Sequence, residues 1–195
     1  MEATFKEPDI AYVRDLLRAM AGRRVLVVGD AMLDAYIYGN SSRISPEAPV
    51  QIVTADREEN LLGGAANVAK CLVALGAKVQ LCCVVGTDPA GEQFLQEAKS
   101  LGINTKLVLR DGTRPTTVKT RIVAARQHIL RVDRESKTPW PERVVQELST
   151  RVHAAAAEVD AVLLSDYDKG VLSPIVCTAA IQSAGERPIV VDPKG

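Results

Sequence analysis

Aromatic residues are scarce in this 195-residue chain, at 4%, too few to furnish the stacking platforms that single-stranded nucleic acid needs. Excess charge of either sign is missing as well. Twenty-four Lys plus Arg face 24 Asp plus Glu, so no overall field holds the chain on nucleic acid or anionic lipid, and any anion must be bound locally. No apolar run reaches the length of a bilayer span, and the opening MEATFKEPDI lacks the apolar centre of a signal peptide. The expectation is therefore a cytoplasmic protein with no membrane or nucleic-acid partner. The four cysteines, Cys71, Cys82, Cys83 and Cys177, show no CxxC spacing, sit in apolar segments and read as buried thiols. Only His128 and His153 are on hand to help them, so no metal site is expected. Also missing is a G-x-G-x-x-G after the first apolar run, where Gly29-Asp30-Ala31-Met32 stands instead. That argues against a nicotinamide-binding Rossmann protein.

What the chain does hold is an ordinary globular balance, 47% hydrophobic and 25% charged, in a length able to bury one substantial core. Residues 24–28, Arg-Val-Leu-Val-Val, form a continuous apolar run ending at Gly29-Asp30, which suits a strand buried on both faces. An amphipathic helix is expected before it, over residues 8–20, closed near Gly22. Further strand-like runs fall at 79–85, 106–109, 161–165 and 188–191, with helical patterns at 65–75, 90–101, 142–157 and 174–184. Strand alternating with helix predicts a mainly parallel sheet with helices on both faces.

Two regions break the alternation. Residues 34–39 and 50–54 flank a Ser/Pro-rich turn, each too short and too polar on one side for a core strand, and residues 116–125 and 128–133 read as a hairpin around Arg126-Gln127. They are expected to form a small antiparallel sheet outside the main layer, either a lid over the carboxyl ends of the parallel strands or an edge decoration. An exposed layer of this kind also favours pairing with a second copy.

The densest signal is Gly63-Gly64-Ala65-Ala66-Asn67-Val68-Ala69, followed by Gly76 and Gly86. Adjacent glycines let a backbone approach a ligand closely, and the apolar spacing places Asn67 on the first turn of a helix. A loop feeding a helix N-terminus offers free N–H groups, and Asn67 can donate and accept toward a polyhydroxylated ligand such as a sugar. A glycine-rich helix entry with no ligand fits the same residues.

The spacing from Gly63 to Gly86 resembles, residue for residue, the first signature of the ribokinase or PfkB family of carbohydrate kinases. Gly29-Asp30-Ala31-Met32-Leu33-Asp34 resembles that family's opening, in which an acid five residues after the glycine holds sugar hydroxyls. The resemblance runs from about Arg24 to Gly195 and implies a three-layer, ribokinase-like (Rossmann-like) α/β domain over residues 1–195. Its sheet would be mainly parallel, with a small antiparallel β-lid from segments at about 35–56 and 115–135, and its C-terminal part absent. Arg43-Ile44-Ser45-Pro46-Glu47-Ala48-Pro49-Val50, Leu164-Ser165-Asp166-Tyr167-Asp168-Lys169-Gly170 and Val191-Asp192-Pro193-Lys194-Gly195 are similar to the branch that phosphorylates D-glycero-β-D-manno-heptose 7-phosphate at O1. That branch acts on the route to ADP-heptose and lipopolysaccharide. Other sugars, a nucleoside, or a non-catalytic sugar-binding or dimerisation fragment stay open. The family's second signature, a Gly-Ala-Gly-Asp run whose aspartate is the catalytic base, is expected beyond the chain, so no catalytic residue is assigned and no turnover by the chain alone is expected.

Within the resemblance, Asp34 is the leading substrate contact, since a carboxylate at the end of a buried strand accepts from two adjacent hydroxyls; a turn cap is the plainer role. Gly63, Gly64 and Asn67 line the same pocket, while Asp30 could equally cap a loop. Lys119, Arg121, Arg126 and Arg131 place cations on the hairpin for a substrate phosphate, though an Arg131–Asp133 ion pair competes with that role. Gln127 and His128, at the hairpin turn, would reach the sugar when the lid closes, or lie on the surface. Asp166 and Lys169 follow a buried strand on the ligand-bearing edge, and Lys194 is the candidate for transferred or nucleotide phosphate. ATP is the implied donor and Mg2+ would come with it rather than from a protein cage. A homodimer through the β-lid is the implied assembly.

Overall fold

The computed structural model describes residues 9–194. Pro8, at which the first helix is expected to start, and Gly195, the end of the Asp-Pro-Lys-Gly run, lie outside the described residues. In chain order the elements are α1 (Ile10–Met20), β1 (Arg24–Gly29), β2 (Ala31–Ile44), β3 (Gln51–Gly64), α2 (Ala65–Ala74), β4 (Lys78–Cys82), β5 (Val84–Val85) and α3 (Pro89–Ser100). They continue as β6 (Leu109–Arg110), β7 (Val118–Ala124), β8 (Gln127–Arg134), α4 (Glu142–Ala156), β9 (Ala161–Ser165), α5 (Pro174–Ala184) and β10 (Ile189–Asp192). Among the described residues no helix is long and apolar enough to cross a membrane.

The main sheet has the order β10-β9-β1-β4, parallel throughout. Because side chains alternate along a strand, β1 feeds two cores. Val25 and Val27 pack with Ala65, Ala69, Phe94 and Ala98 of α2 and α3. Leu26 and Val28 pack with Leu148, Val152, Val176 and Ala180 of α4 and α5. Each such side chain contributes roughly 1.5–3 kcal/mol by leaving water. The sandwich of helices on a parallel sheet is the expected three-layer α/β architecture.

The second sheet runs β3-β2-β7-β8. Its pairing is antiparallel at β2–β3 and β7–β8 as expected, but parallel at β2–β7. Its strands are also longer than the sequence suggests: β2 and β3 span 14 residues each. They pair from Ala31↔Gly64 out to Ile44↔Gln51, because cross-strand partners satisfy backbone groups that local hydropathy leaves unassigned. Gly63 and Gly64 are therefore the end of a strand, not a loop.

Three further expectations change. The run at 79–85 divides at Cys83, because β5 leaves the main sheet to pair with β6. The strand expected at 106–109 is a turn at Lys106–Leu107 with pairing only at Leu109–Arg110; Asn104 bridges to Gln80, and its side chain accepts from Lys106 N–H. The hairpin turns at Ala125-Arg126, both at positive φ (49° and 65°), the geometry that matches strand twist. Cys82 and Cys83 are buried as expected, whereas Cys71 is exposed and Cys177 half-buried. Burial pushes the Cys82 thiol up to about 12, which keeps it protonated and unreactive.

The root of β7 is tied to α3 by one carboxylate. Asp88 caps α3 by accepting from Gly91 N–H at 2.9 Å, and it accepts from Thr116 Oγ1 at 2.6 Å and Thr116 N–H at 3.0 Å. Thr116 Oγ1 in turn accepts from Gly86 N–H at 2.8 Å. Burial pushes the Asp88 carboxyl up, but the bonds from Thr116 and Gly91 outweigh it and hold the group below its ordinary value. A lowered folded-state value adds stability above the unfolded value, near ~3.9, and loses it as pH falls through the folded one. Asp88→Ala is expected to cost ~1–3 kcal/mol in urea unfolding at pH 7. Its loss of stability below about pH 4 should be shallower than the parent's; equal acid slopes would contradict this role.

Candidate functional site

Ligands of open parallel sheets bind beyond the carboxyl ends of the strands, and here β1 ends at Asp30, 1% exposed. Its carboxylate accepts from Tyr167 N–H at 3.0 Å, Lys169 N–H at 2.9 Å and Val171 N–H at 3.0 Å. Its carbonyl accepts from Ala65 N–H, the first residue of α2, at 2.9 Å. Asp30 is thus a loop cap, as one of its two readings has it, and it fixes the β9–α5 loop against the start of α2.

From Ala31 the chain continues directly into β2, so Asp34 stands on the second sheet rather than at the end of a core strand. The register Asp34↔Lys119↔Asp133 and Tyr36↔Arg121↔Arg131 puts these side chains on one face. Asp34 Oδ1 accepts from Arg121 at 2.5 Å, with the two side chains 23% and 19% exposed. Burial pulls the Arg121 guanidinium down, but the bond and attraction to Asp34 outweigh it and raise the group above its ordinary value. Gly63 lies opposite Met32, and a Cβ there would overlap Asp34 Oδ2 and approach Met32 Cγ at 2.8 Å. The missing side chain makes the space that Asp34 fills. Gly64 has φ +59°, and a Cβ would meet Asp30 O, so the strand-to-helix corner requires glycine. Asn67 follows on the first turn of α2, exposed beside the buried Ala65 and Ala66.

Several other candidates gather at the same edge. Asp166 and Lys169 sit in the β9–α5 loop, where the Asp166 carboxylate accepts from Asp168 N–H at 2.8 Å. Lys169 Nζ pairs with Glu135 at 3.0 Å, each under a fifth exposed, and Lys194 lies 3.5 Å from Asp168. Lys119 has no ion-pair partner among the described residues, while Arg131 forms the competing two-pronged pair with Asp133 at 2.8 and 3.0 Å. Gln127 and His128 are exposed, paired with Ala124 and Val123 beyond Tyr38. That places them about 13 Å along the strand from the level of Asp34, and the structure does not bring them to it. Arg126 is exposed at the turn.

Sequence reasoning missed Tyr36 and Tyr38, whose rings stack at 5.8 Å with Arg121 and Arg57 over them. Their i, i+2 spacing beside Asp34 was the available signal. It also missed Glu135 and Arg114. Arg114 is 5% exposed, donates to Lys169 O at 3.0 Å and Ser136 O at 2.5 Å, and lies 4.0 Å over the Trp140 ring. No local pattern marks a buried arginine whose partners are distant carbonyls. Trp140 does sit at a helix entry, next to the Pro141 cap of α4. Among the described residues no group of three or more His, Cys, Asp or Glu side chains is placed to hold a metal ion. The edge combines a carboxylate suited to hydroxyl groups with cations suited to an anion.

The model of the pfkB family of carbohydrate kinases matches residues 23–195. Proteins named bifunctional protein HldE are similar over most of the chain. The one from Pelobacter propionicus is 50% identical over 189 residues, 96% of this chain and 39% of that protein. Those from Wolinella succinogenes and Helicobacter pylori are 47% and 46% identical, covering 88% and 89% of this chain and 36% and 38% of theirs. The chain thus spans less than two fifths of the length of these curated relatives. Among solved structures, Arabidopsis thaliana ribokinase complexed with ribose and ATP superposes with a TM-score of 0.63 at 20% identity, over 89% of this chain and 54% of that one. A carbohydrate kinase from Agrobacterium tumefaciens gives 0.63 at 21%, over 87% and 53%. Both likenesses are of fold.

The fit between Gly63 and Asp34 is open to a double-mutant cycle. Gly63→Ala is expected to destabilise by ~1–3 kcal/mol through overpacking, and Asp34→Ala in the same chain to recover part of that loss in urea unfolding. A coupling below ~0.5 kcal/mol would show that the two positions do not meet.

Proposed function

Because this chain belongs to the pfkB family of carbohydrate kinases, we propose that it is the acceptor-binding, lid-bearing region of an ATP-dependent sugar-phosphate kinase. The substrate is D-glycero-β-D-manno-heptose 7-phosphate, phosphorylated at O1 toward ADP-heptose and the lipopolysaccharide core. The observation that carries the reading is the Asp34 carboxylate, held by Arg121 in the space left by Gly63, at the edge where open α/β sheets take ligands. Identity of 43–50% to proteins named HldE and the Arg-Ile-Ser-Pro-Glu-Ala-Pro-Val run at residues 43–50 support the heptose branch.

Phosphoryl transfer needs its reactants positioned and their charge neutralised. Asp34 accepts from adjacent sugar hydroxyls, and Arg121 orients it. Gly63, Gly64 and Asn67 line the pocket beside it. The lid comprises segments around 35–56 and 115–135; its closure brings Gln127, His128 and Arg131 toward the sugar, and Lys119 adds a free cation. Asp166 and Lys169 border the pocket, and Lys194 meets phosphate of the donor. ATP is the donor. Mg2+ would come with the nucleotide, and none of the roles above passes through it. No described residue is assigned as the catalytic base.

The opposite lid face carries an apolar patch toward its β8 side. Ala35↔Thr120↔Val132 and Ile37↔Ile122↔Leu130 form it, Leu130 and Val132 are 54% and 50% exposed, and Asn60 and Glu58 of β3 border it. A second copy of the chain covers it, giving a homodimer through the lid.

Calorimetry with heptose 7-phosphate, against its dephosphorylated form, tests the substrate. Asp34→Asn should lower affinity roughly 100-fold, as expected for two charge-assisted bonds of ~1.5 kcal/mol each; unchanged affinity removes the clamp role. Leu130→Lys with Val132→Glu should convert dimer to monomer in light scattering, and a dimer that survives both rejects the lid interface.

A further inference from the structure

Two of the lid cations are already committed, Arg121 to Asp34 and Arg131 to Asp133. A phosphate at this edge therefore needs other partners. A cavity of about 350 Å3 opens between the β8–α4 connection and the β9–α5 loop, with Arg114, Ser136, Lys137, Thr138, Lys169 and the carboxylate-bearing Asp168 on its walls. Lys137 is exposed at its rim. Arg114, 95% buried, spends one N–H on each of two backbone carbonyls, and its Nε–H has no acceptor. Trp140 Nε1, in the ring beneath that guanidinium, is likewise buried without an acceptor. A second, much smaller pocket, which shares Arg114 and Lys169 with the first, is lined by Trp140 and Asp30 as well.

Three acids lie nearby. Asp30 accepts from three backbone N–H groups, Glu135 pairs with Lys169 at 3.0 Å although its buried Oε2 makes no hydrogen bond, and the exposed Asp168 lies 3.5 Å from Lys194; Asp30 and Glu135 also act on Arg114 through their charge. Lys137 and Arg114 have no ion-pair partner among the described residues. Buried donors without acceptors are rare and costly in folded proteins, and an acceptor-rich anion or the water it carries completes them. A guanidinium locked flat against an indole and two carbonyls presents its remaining donors in a fixed fork, the geometry that suits phosphate.

We propose that this cavity is a phosphoryl-anion site, with Arg114 and Lys137 as its cations and Lys169 at its border. It deepens the kinase reading and depends on it only for where the phosphate comes from, the acceptor sugar or the nucleotide.

The test uses inorganic phosphate as the probe, titrated into the full chain and followed by 31P line broadening, with Lys137→Met and Arg114→Lys as variants. Lys137 is exposed, so its substitution leaves folding intact; thermal melts by circular dichroism check Arg114→Lys. Phosphate should bind the parent and bind Lys137→Met about tenfold more weakly, the loss of one charged contact. No binding to the parent, or equal binding to parent and Lys137→Met, overturns the site. In competition, displacement of phosphate by heptose 7-phosphate alone identifies the acceptor's phosphate, and displacement by ATP alone identifies the donor's; either supports the site. Displacement by neither overturns it as part of the kinase. Phosphate binding that depends on Lys137 in a chain to which calorimetry shows neither heptose 7-phosphate nor ATP binding keeps the site and rejects the kinase reading.

Discussion

Asp30 is a carboxylate almost wholly removed from water, a placement that costs several kcal/mol unless every oxygen is satisfied. Three backbone N–H groups from residues 167, 169 and 171 satisfy it. Those donors belong to a loop with no regular structure of its own, so the same bonds give the loop its shape. Through its carbonyl, Asp30 also holds the first N–H of α2. One residue thereby joins the end of the central strand, the start of a helix and the loop after β9. Asp34 on one side and Lys169 on the other keep their separation because both branches leave from it.

The second sheet depends on that junction in turn. β2 starts one residue after Asp30 and Gly64 ends β3 directly against it. The lid is therefore rooted in the core at both ends, its other root held by Asp88 and Thr116. Strand alternation then gives the lid two chemistries from one set of residues. Asp34, Tyr36, Lys119, Arg121 and Asp133 share the polar face; Ala35, Ile37, Ile122, Leu130 and Val132 share the other. Near the root, Leu33 and Leu62 of the apolar face enter the core, and farther out the same face meets solvent.

Much of the core was legible because its signals are local. The apolar run at β1, the helical spacing of α2 to α5 and the glycines at the strand-to-helix corner each depend on neighbours within a few residues. The signals that failed are those whose cause is distant. Cys83 interrupts a uniform apolar run because residues near 109, not its neighbours, offer the next strand partner. Residues 40–44 of β2 and 55–62 of β3 carry no strand signal of their own, yet they are strands because each supplies the other strand's hydrogen bonds. Asp34 is legible in the pattern, but that Gly63 makes its space and Arg121 donates to it required residues 29 and 87 positions away to meet.

The sequence by itself determined the layered α/β class, the resemblance to sugar kinases and the types of side chain on offer, since periodicity and short motifs are written in consecutive residues. Only the tertiary structure decided which of those side chains are free. Arg121 and Arg131 look alike in a list of cations beside Lys119, yet each is bound to an acid. Arg114, which no pattern singled out, is the buried cation with donors to spare. Ion pairing and burial depend on distances in space that hydropathy and spacing do not encode, so the partner of a charge appears only once the chain has folded.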